Sequence, residues 1–181
     1  MILRHSLQRN STKAGKCEKD LQMARRPQPV TLDDFDLKIL GIVQLDNQMP
    51  QRLIAERIGL SPPAVARRLQ NLRETGVIQR DIAVIDESAV GRPLTIVVEV
   101  TTENERLDLL DAMKERFLAC PQVRQCYYVT GDMDFILIMN VRDMEEYAEL
   151  TRALFFEGGN VKSFRTCVSM ESVKTNGPVP L

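Results

Sequence analysis

The 181-residue sequence predicts an α+β protein of two domains: a three-helix unit with strands after it, then a sheet layered with two helices. Three observations carry this expectation. Between residues 31 and 76, apolar side chains recur three and four apart and are punctuated by Gly59 and Gly76, the pattern of short amphipathic helices. From residue 95 onward the apolar period switches between two and 3.6 in the order βαββαβ. A short connection, Asp86–Arg92, separates the two patterns.

The elements follow in order. Residues 1–29 are rich in Ser, Thr, Lys, Arg and Gln and read as a disordered basic tail, with Met23 an alternative start. Thr31 or Asp33 caps a first helix carrying Leu32, Phe35, Ile39, Leu40 and Val43, which Asn47 and Pro50 close. Leu53, Ile54 and Ile58 define a second helix stopped by Gly59. Ser61 caps a third, with Pro62 at its first position and Val65, Leu69 and Leu72 facing inward. Gly76 ends it, and VIQRDIAVI (77–85) reads as one or two strands forming a wing, so that 30–91 is a winged helix-turn-helix with its linker. Thr95–Val100 is a strand, Glu103–Leu118 a helix, Val123–Thr130 and Phe135–Val141 a strand pair, a helix capped by Asp143 follows, and Val161–Val173 is the last strand. Residues 92–174 thus form a ferredoxin-like βαββαβ sandwich, and 175–181 a C-terminal tail.

Composition excludes several classes of function. Apolar residues make up 44%, enough for a core, yet the apolar runs are too short for a membrane helix, and the polar N-terminal segment offers no secretory signal. The four cysteines show no CxxC pair or metal-finger spacing, which fits a reducing cytoplasm, and the one histidine, His5, lies in the tail. Histidine-based metal sites, Ser–His triads and His general bases are therefore not expected in the folded body, nor is a cofactor. Charge is asymmetric. Residues 50–80 hold six arginines against Glu56 and Glu74, whereas 92–181 hold ten basic against fourteen acidic groups. A polyanion such as double-stranded DNA fits the first half, not the second.

On the third helix, Pro63, Ala64, Arg67, Arg68 and Asn71 lie opposite the apolar stripe. The N-terminal part of a recognition helix meets base edges, which places Ser61, Pro63, Ala64, Arg67 and Arg68 best; arginine reads guanine through O6 and N7. Arg52, Arg73 and Arg80 lie outside that window and suit phosphates. A solvated Arg-rich helix face would give the same local pattern, but the helix–turn–helix–wing order favours DNA. In VTGDMDFILIM (129–139), Gly131 exposes backbone N–H groups beside Asp132 and Asp134, a combination suited to the carboxylate and ammonium of a free amino acid. An ordinary hairpin turn gives the same spacing and is the simpler reading there.

Four motifs in this order, LDDFDLKIL, IGLSPPAVARRLQNLRETGVI, VTGDMDFIL and FRTCVSMESVK, resemble the Lrp/AsnC family of bacterial and archaeal transcriptional regulators over residues 31–174. The resemblance implies a DNA-binding winged helix-turn-helix joined to an amino-acid-sensing domain. It also implies homodimers formed through the sensing-domain sheets, assembly into octamers, and an effector between neighbouring dimers. Family positions affecting the effector response fall on Tyr127, Asp134, Met144, Cys167, Val168 and Ser169, and the family's glycine and acidic loop on Gly131, Asp132 and Asp134. EGGNV (157–161) departs from the family's usual proline–glycine turn. Two competing readings are an architectural DNA-binding protein without an effector and an amino-acid-metabolising enzyme; the absence of a nucleophile motif weighs against the second.

Overall fold

The computed structural model describes residues 30–175 and 177–181, so the expectations for the tail, His5, Cys17 and Met23 lie outside the described residues. Residues 30–82 with 177–181 form one compact unit and 83–175 another.

In the first unit, α1 (Asp34–Val43) begins at a reciprocal cap: Asp33 Oδ1 accepts from the Asp36 N–H at 2.9 Å, and Asp36 Oδ2 from the Asp33 N–H at 3.2 Å. Two backbone donors that the helix would leave unpaired are thereby satisfied. The helix ends at Val43, earlier than Asn47 and Pro50 suggest. Helix α2 (Gln51–Ile58) closes on Gly59, whose φ of 74° is left-handed and accessible to glycine without strain. Three residues later α3 (Pro62–Glu74) begins. Ser61 occupies its N-cap in backbone conformation only; its hydroxyl makes no capping bond. Of the two N–H groups that a cap side chain can bond, the second helical residue, Pro63, has none, and that of the third, Ala64, is not bonded by the hydroxyl.

Ile39, Ile54, Ala55, Val65, Leu69 and Leu72 form the core of this unit, so the inward stripe expected on α3 is the buried one. Val77 and Ile78 pack against it, the Ile78 N–H donating to the Leu72 carbonyl at 2.9 Å. The rest of the wing differs from expectation. Residues 77–85 contain no strand, and Ile82, Val84 and Ile85 stay exposed. An alternating pattern makes a strand only where a neighbour supplies a ladder, and this segment has none among the described residues.

The second unit is an antiparallel sheet of order β2-β3-β1-β4. Its elements are β1 (Leu94–Thr102), α4 (Leu107–Ala119), β2 (Val123–Tyr128), β3 (Phe135–Val141), α5 (Met144–Thr151) and β4 (Val161–Val168), the expected ferredoxin-like succession. Ile96, Val98 and Val100 of β1 and Phe135, Leu137, Met139 and Val141 of β3 point to the helix layer, packing on Leu110, Met113, Phe117, Tyr147, Leu154 and Phe155. Several boundaries shift, with β1 extending to Leu94 and Thr102 beyond the expected Thr95–Val100. Helix α4 starts at Leu107, not Glu103, and β2 stops at Tyr128 rather than Thr130. Strand β4 stops at Val168, not Val173, because its partner β1 begins at Leu94; the last ladder-like bond runs from the Ser169 N–H to the Thr95 carbonyl.

Helix α5 runs on into a π-helical turn, Arg152–Phe156. The guanidinium of Arg116 closes that turn, donating to the carbonyls of Leu154 at 3.0 Å and Gly158 at 3.1 Å. It fills the space a side chain at 158 would need, since a Cβ there would lie 1.4 Å from Arg116 Nη1. The unusual EGGNV turn is thus matched to an arginine on α4.

Candidate functional site

The first candidate surface is the outer side of α2 and α3. Ser61, Pro63, Arg67 and Asn71 are exposed and Ala64 is half-buried, so these five share the face opposite the core. Arg67 forms no ion pair among the described residues, and neither do Arg57 and Arg80. Arg57, at the exposed end of α2, is an addition that sequence alone did not single out, since nothing in its spacing separates it from a solvated surface arginine.

The other arginines are partnered. Arg52 pairs with Glu56 at 2.7 Å and Arg73 with Asp81 at 2.9 Å, both at the surface. Such pairs contribute under about 1 kcal/mol, so a phosphate can replace the carboxylate cheaply. Arg68 is different. Its Nη1 lies 2.8 Å from both Asp33 Oδ2 and Asp36 Oδ1, and its guanidinium sits 5.5 Å from the Phe35 ring centroid. The side chain is only 25% exposed. The hydrogen bond to Asp36, then that to Asp33, raises the arginine's pKa further. Asp33 is held below the usual carboxylate range, first by the Asp36 backbone N–H and also by Arg68. Arg68, expected at base edges from the sequence, shares the helix with Arg67, but its guanidinium is turned to the acids at the start of α1.

The second candidate surface is the loop between β2 and β3. Val129 N–H donates to the Asp134 carbonyl at 2.9 Å, closing the loop, and Gly131 has a φ of 129°, which side chains rarely adopt. Asp132 is exposed and makes no hydrogen bond to the described residues. Asp134 is half-buried: its Oδ2 accepts from the Thr102 backbone N–H at 2.7 Å and the Thr102 hydroxyl at 2.9 Å, leaving Oδ1 for any other partner. Beside the loop, on the sheet face away from the helices, a depression of about 280 Å³ is lined by Asp132, Met133, Thr101, Ser163 and the ion pair Glu99–Arg165.

The remaining candidate residues fall into two groups. Tyr127 faces the open side of the sheet next to Ile136, near the loop. Cys167, Val168 and Ser169 lie at the opposite end of β4, paired with the start of β1 (Cys167 with Val97, Val168 with Ile96). Met144, exposed, opens α5. Tyr127 and Cys167 lie nearly level on the two edge strands, whereas the loop, bonded at Thr102, and Val168, paired with Ile96, are six residues apart along β1, roughly 20 Å. They do not form one pocket within a subunit.

Beside Met144, Glu146 is buried and heavily engaged. It accepts from Arg142 N–H at 2.7 Å, Gln122 Nε2 at 3.0 Å and Arg92 Nη1 at 3.3 Å. The Arg142 backbone N–H, followed by Gln122 and the arginines, outweighs burial and lowers its pKa to about 2. It anchors the end of the linker, through Arg92, to the first turn of α5.

Comparison with known proteins decides the family. Residues 32–79 match the winged helix-turn-helix DNA-binding family and residues 95–179 the Lrp/AsnC ligand binding domain. An uncharacterized HTH-type transcriptional regulator of Sinorhizobium fredii is 45% identical over 83% of this chain and 89% of its own length. The chain belongs to the Lrp/AsnC family. Another relative, the Bkd operon transcriptional regulator of Pseudomonas aeruginosa, is 34% identical over 83% of this chain and 98% of its own. The crystal structure of an AsnC family transcriptional regulator from Agrobacterium tumefaciens agrees with a TM-score of 0.77 at 28% identity, covering 82% of this chain and 97% of that one. A transcriptional regulator from Neisseria meningitidis, solved as an L-Met complex, shares the fold with a TM-score of 0.77 at 23% identity, over 83% and 97% of the two chains. This Lrp/AsnC protein is accordingly a DNA-binding transcriptional regulator with a ligand-binding domain, and not an enzyme.

Proposed function

We propose that the protein reads DNA as a homo-oligomer and that a free amino acid, held between copies of the chain, sets how tightly it binds. The observation that carries the reading is the separation of the 131–134 loop, at the Thr102 end of the sheet, from Val168 and Ser169, at its other end. A pocket containing both groups closes only when the loop of one copy meets the β4 end of another. The loop at Gly131 supplies backbone N–H groups for the ligand carboxylate, and Asp132, with Oδ1 of Asp134, a charge for its ammonium. Met144, Tyr127, Cys167, Val168 and Ser169 line the side-chain end. The relatives include a regulator solved with L-Met and a glutamate uptake regulatory protein of Zymomonas mobilis, which supports this ligand class.

The open sheet face, with Tyr127, Val97, Ile136 and Ile138, is the dimer surface, and dimers assemble further into octamers in the cytoplasm. Paired copies present two α3 helices to a pseudo-palindromic site, where Ser61, Pro63, Ala64, Arg67 and Asn71 read bases while Arg57, Arg80, Arg52 and Arg73 hold phosphates. Ligand binding changes DNA affinity only to the extent that it favours one assembly over another.

A thermal-shift screen of the standard amino acids, followed by light scattering with each ligand that stabilises the protein, tests the reading. The expected result is stabilisation by one or a few amino acids together with a change in oligomer mass. Stabilisation by none would favour an architectural DNA-binding role instead.

A further inference from the structure

Arg68 stands among the DNA-facing residues in sequence, yet its geometry is that of a clamp within the domain. One guanidinium nitrogen bridges two carboxylates at 2.8 Å each, and both carboxylates belong to the reciprocal cap that starts α1. The acids are therefore held in place by backbone N–H groups before the arginine arrives, so little ordering is needed to form the bridge. The guanidinium also lies over the ring of Phe35, from the same turn of α1, 5.5 Å from its centroid. Freeing Arg68 for DNA would strand Asp33 and Asp36 beside a polyanion without their counter-charge. Arg67, one residue earlier and about 100° around the helix, carries no such restraint.

We propose that Arg68 is a positioning residue: it locks α3 to the start of α1 and so fixes the angle at which Arg67 and Asn71 meet DNA, without touching DNA itself. The inference rests on the reading of α3 as the DNA-reading helix. It assigns Asp33 and Asp36 a share in DNA binding despite their charge. An acid near a DNA surface ordinarily weakens binding, so removing one should help. Under this proposal it hurts, because the clamp is lost.

The test uses full-length Asp36→Asn, Arg68→Ala, Arg68→Lys and Arg67→Ala proteins. Binding is read by anisotropy on a duplex enriched by the wild-type protein from a randomised pool, across a salt series. Circular dichroism at the assay temperature confirms that each variant is folded. Asp36→Asn is expected to bind about tenfold more weakly although it removes a negative charge. Arg68→Ala is expected to lose at least as much with an unchanged slope of log affinity against log salt, and Arg68→Lys to recover part of the loss. Arg67→Ala is expected to lower that slope by about one and relax preference at one position. Wild-type or tighter binding by Asp36→Asn, or a slope lowered by about one in Arg68→Ala, would overturn the proposal. Wild-type affinity in Arg67→Ala together with Arg68→Ala would instead overturn the DNA-reading role of α3, and the clamp with it.

Discussion

Asp134 accepts hydrogen bonds from both the main-chain N–H and the hydroxyl of Thr102, at 2.7 and 2.9 Å, and so pins the hairpin loop to the end of β1. Thr102 is buried, so neither donor has water as a substitute. Asp134→Ala should therefore destabilise the domain by about 3 kcal/mol, the cost of two orphaned donors that had a charged acceptor. Asp134→Asn, which keeps one acceptor oxygen, should lose clearly less. Urea denaturation of both variants checks this; equal stability of wild type and Asp134→Ala would show that the loop does not depend on the bond.

Asp132 is the opposite case: it is exposed and bonded to none of the described residues. Asp132→Ala should melt at the wild-type temperature without ligand and should lose the ligand-induced shift. The measurement is a melting curve with and without each stabilising amino acid. A full-size shift in the variant would remove Asp132 from the effector site.

Glu146 gives the protein an acid limit. Its pKa falls from 4.5 to about 2 on folding, so the folded state binds the proton less readily than the unfolded chain. Its stabilisation is complete above about 4.5 and is lost as pH falls through the window down to about 2. Glu146→Gln should cost about 2 kcal/mol at neutral pH and flatten the acid limb of the stability profile. Chemical denaturation between pH 2.5 and 7 reads both effects; parallel profiles for variant and wild type would contradict the assignment.

Gln44, just past the end of α1, clasps the C-terminal segment. Its Nε2 donates to the Val179 carbonyl at 3.1 Å, and its Oε1 accepts from the Val179 N–H at 2.9 Å. Gln44→Ala should speed hydrogen exchange at Val179 severalfold while costing global stability less than about 1 kcal/mol, because both partners are exposed. Unchanged exchange would mean that the clasp is not formed in solution.

How legible the protein is in its sequence depends on the range of the interaction. The buried stripe Val65, Leu69 and Leu72 and the strand Phe135–Val141 are visible because they are local periodicities that the core enforces. The partners of Arg68 are not visible, since Asp33 and Asp36 lie more than thirty residues upstream and a solvated arginine has the same spacing on the helix. Asp134 is similar: the sequence shows a carboxylate in a turn, but only the fold brings Thr102 to it. Residues 77–85 mislead for the converse reason. Their alternation is that of a strand, and a strand requires a second one beside it. At EGGNV, Gly158 sits against the guanidinium of Arg116, a neighbour on another element that the sequence does not reveal.

Coupling between the proposed effector site and the DNA-reading helices is measured as DNA affinity at saturating concentration of the amino acid that stabilises the protein. Anisotropy on the enriched duplex, with and without that amino acid, should show a change of about 5- to 150-fold, the usual range of coupling between two sites. Asp132→Ala should show none. An identical affinity in the presence and absence of a ligand demonstrably bound to the wild-type protein would contradict the account.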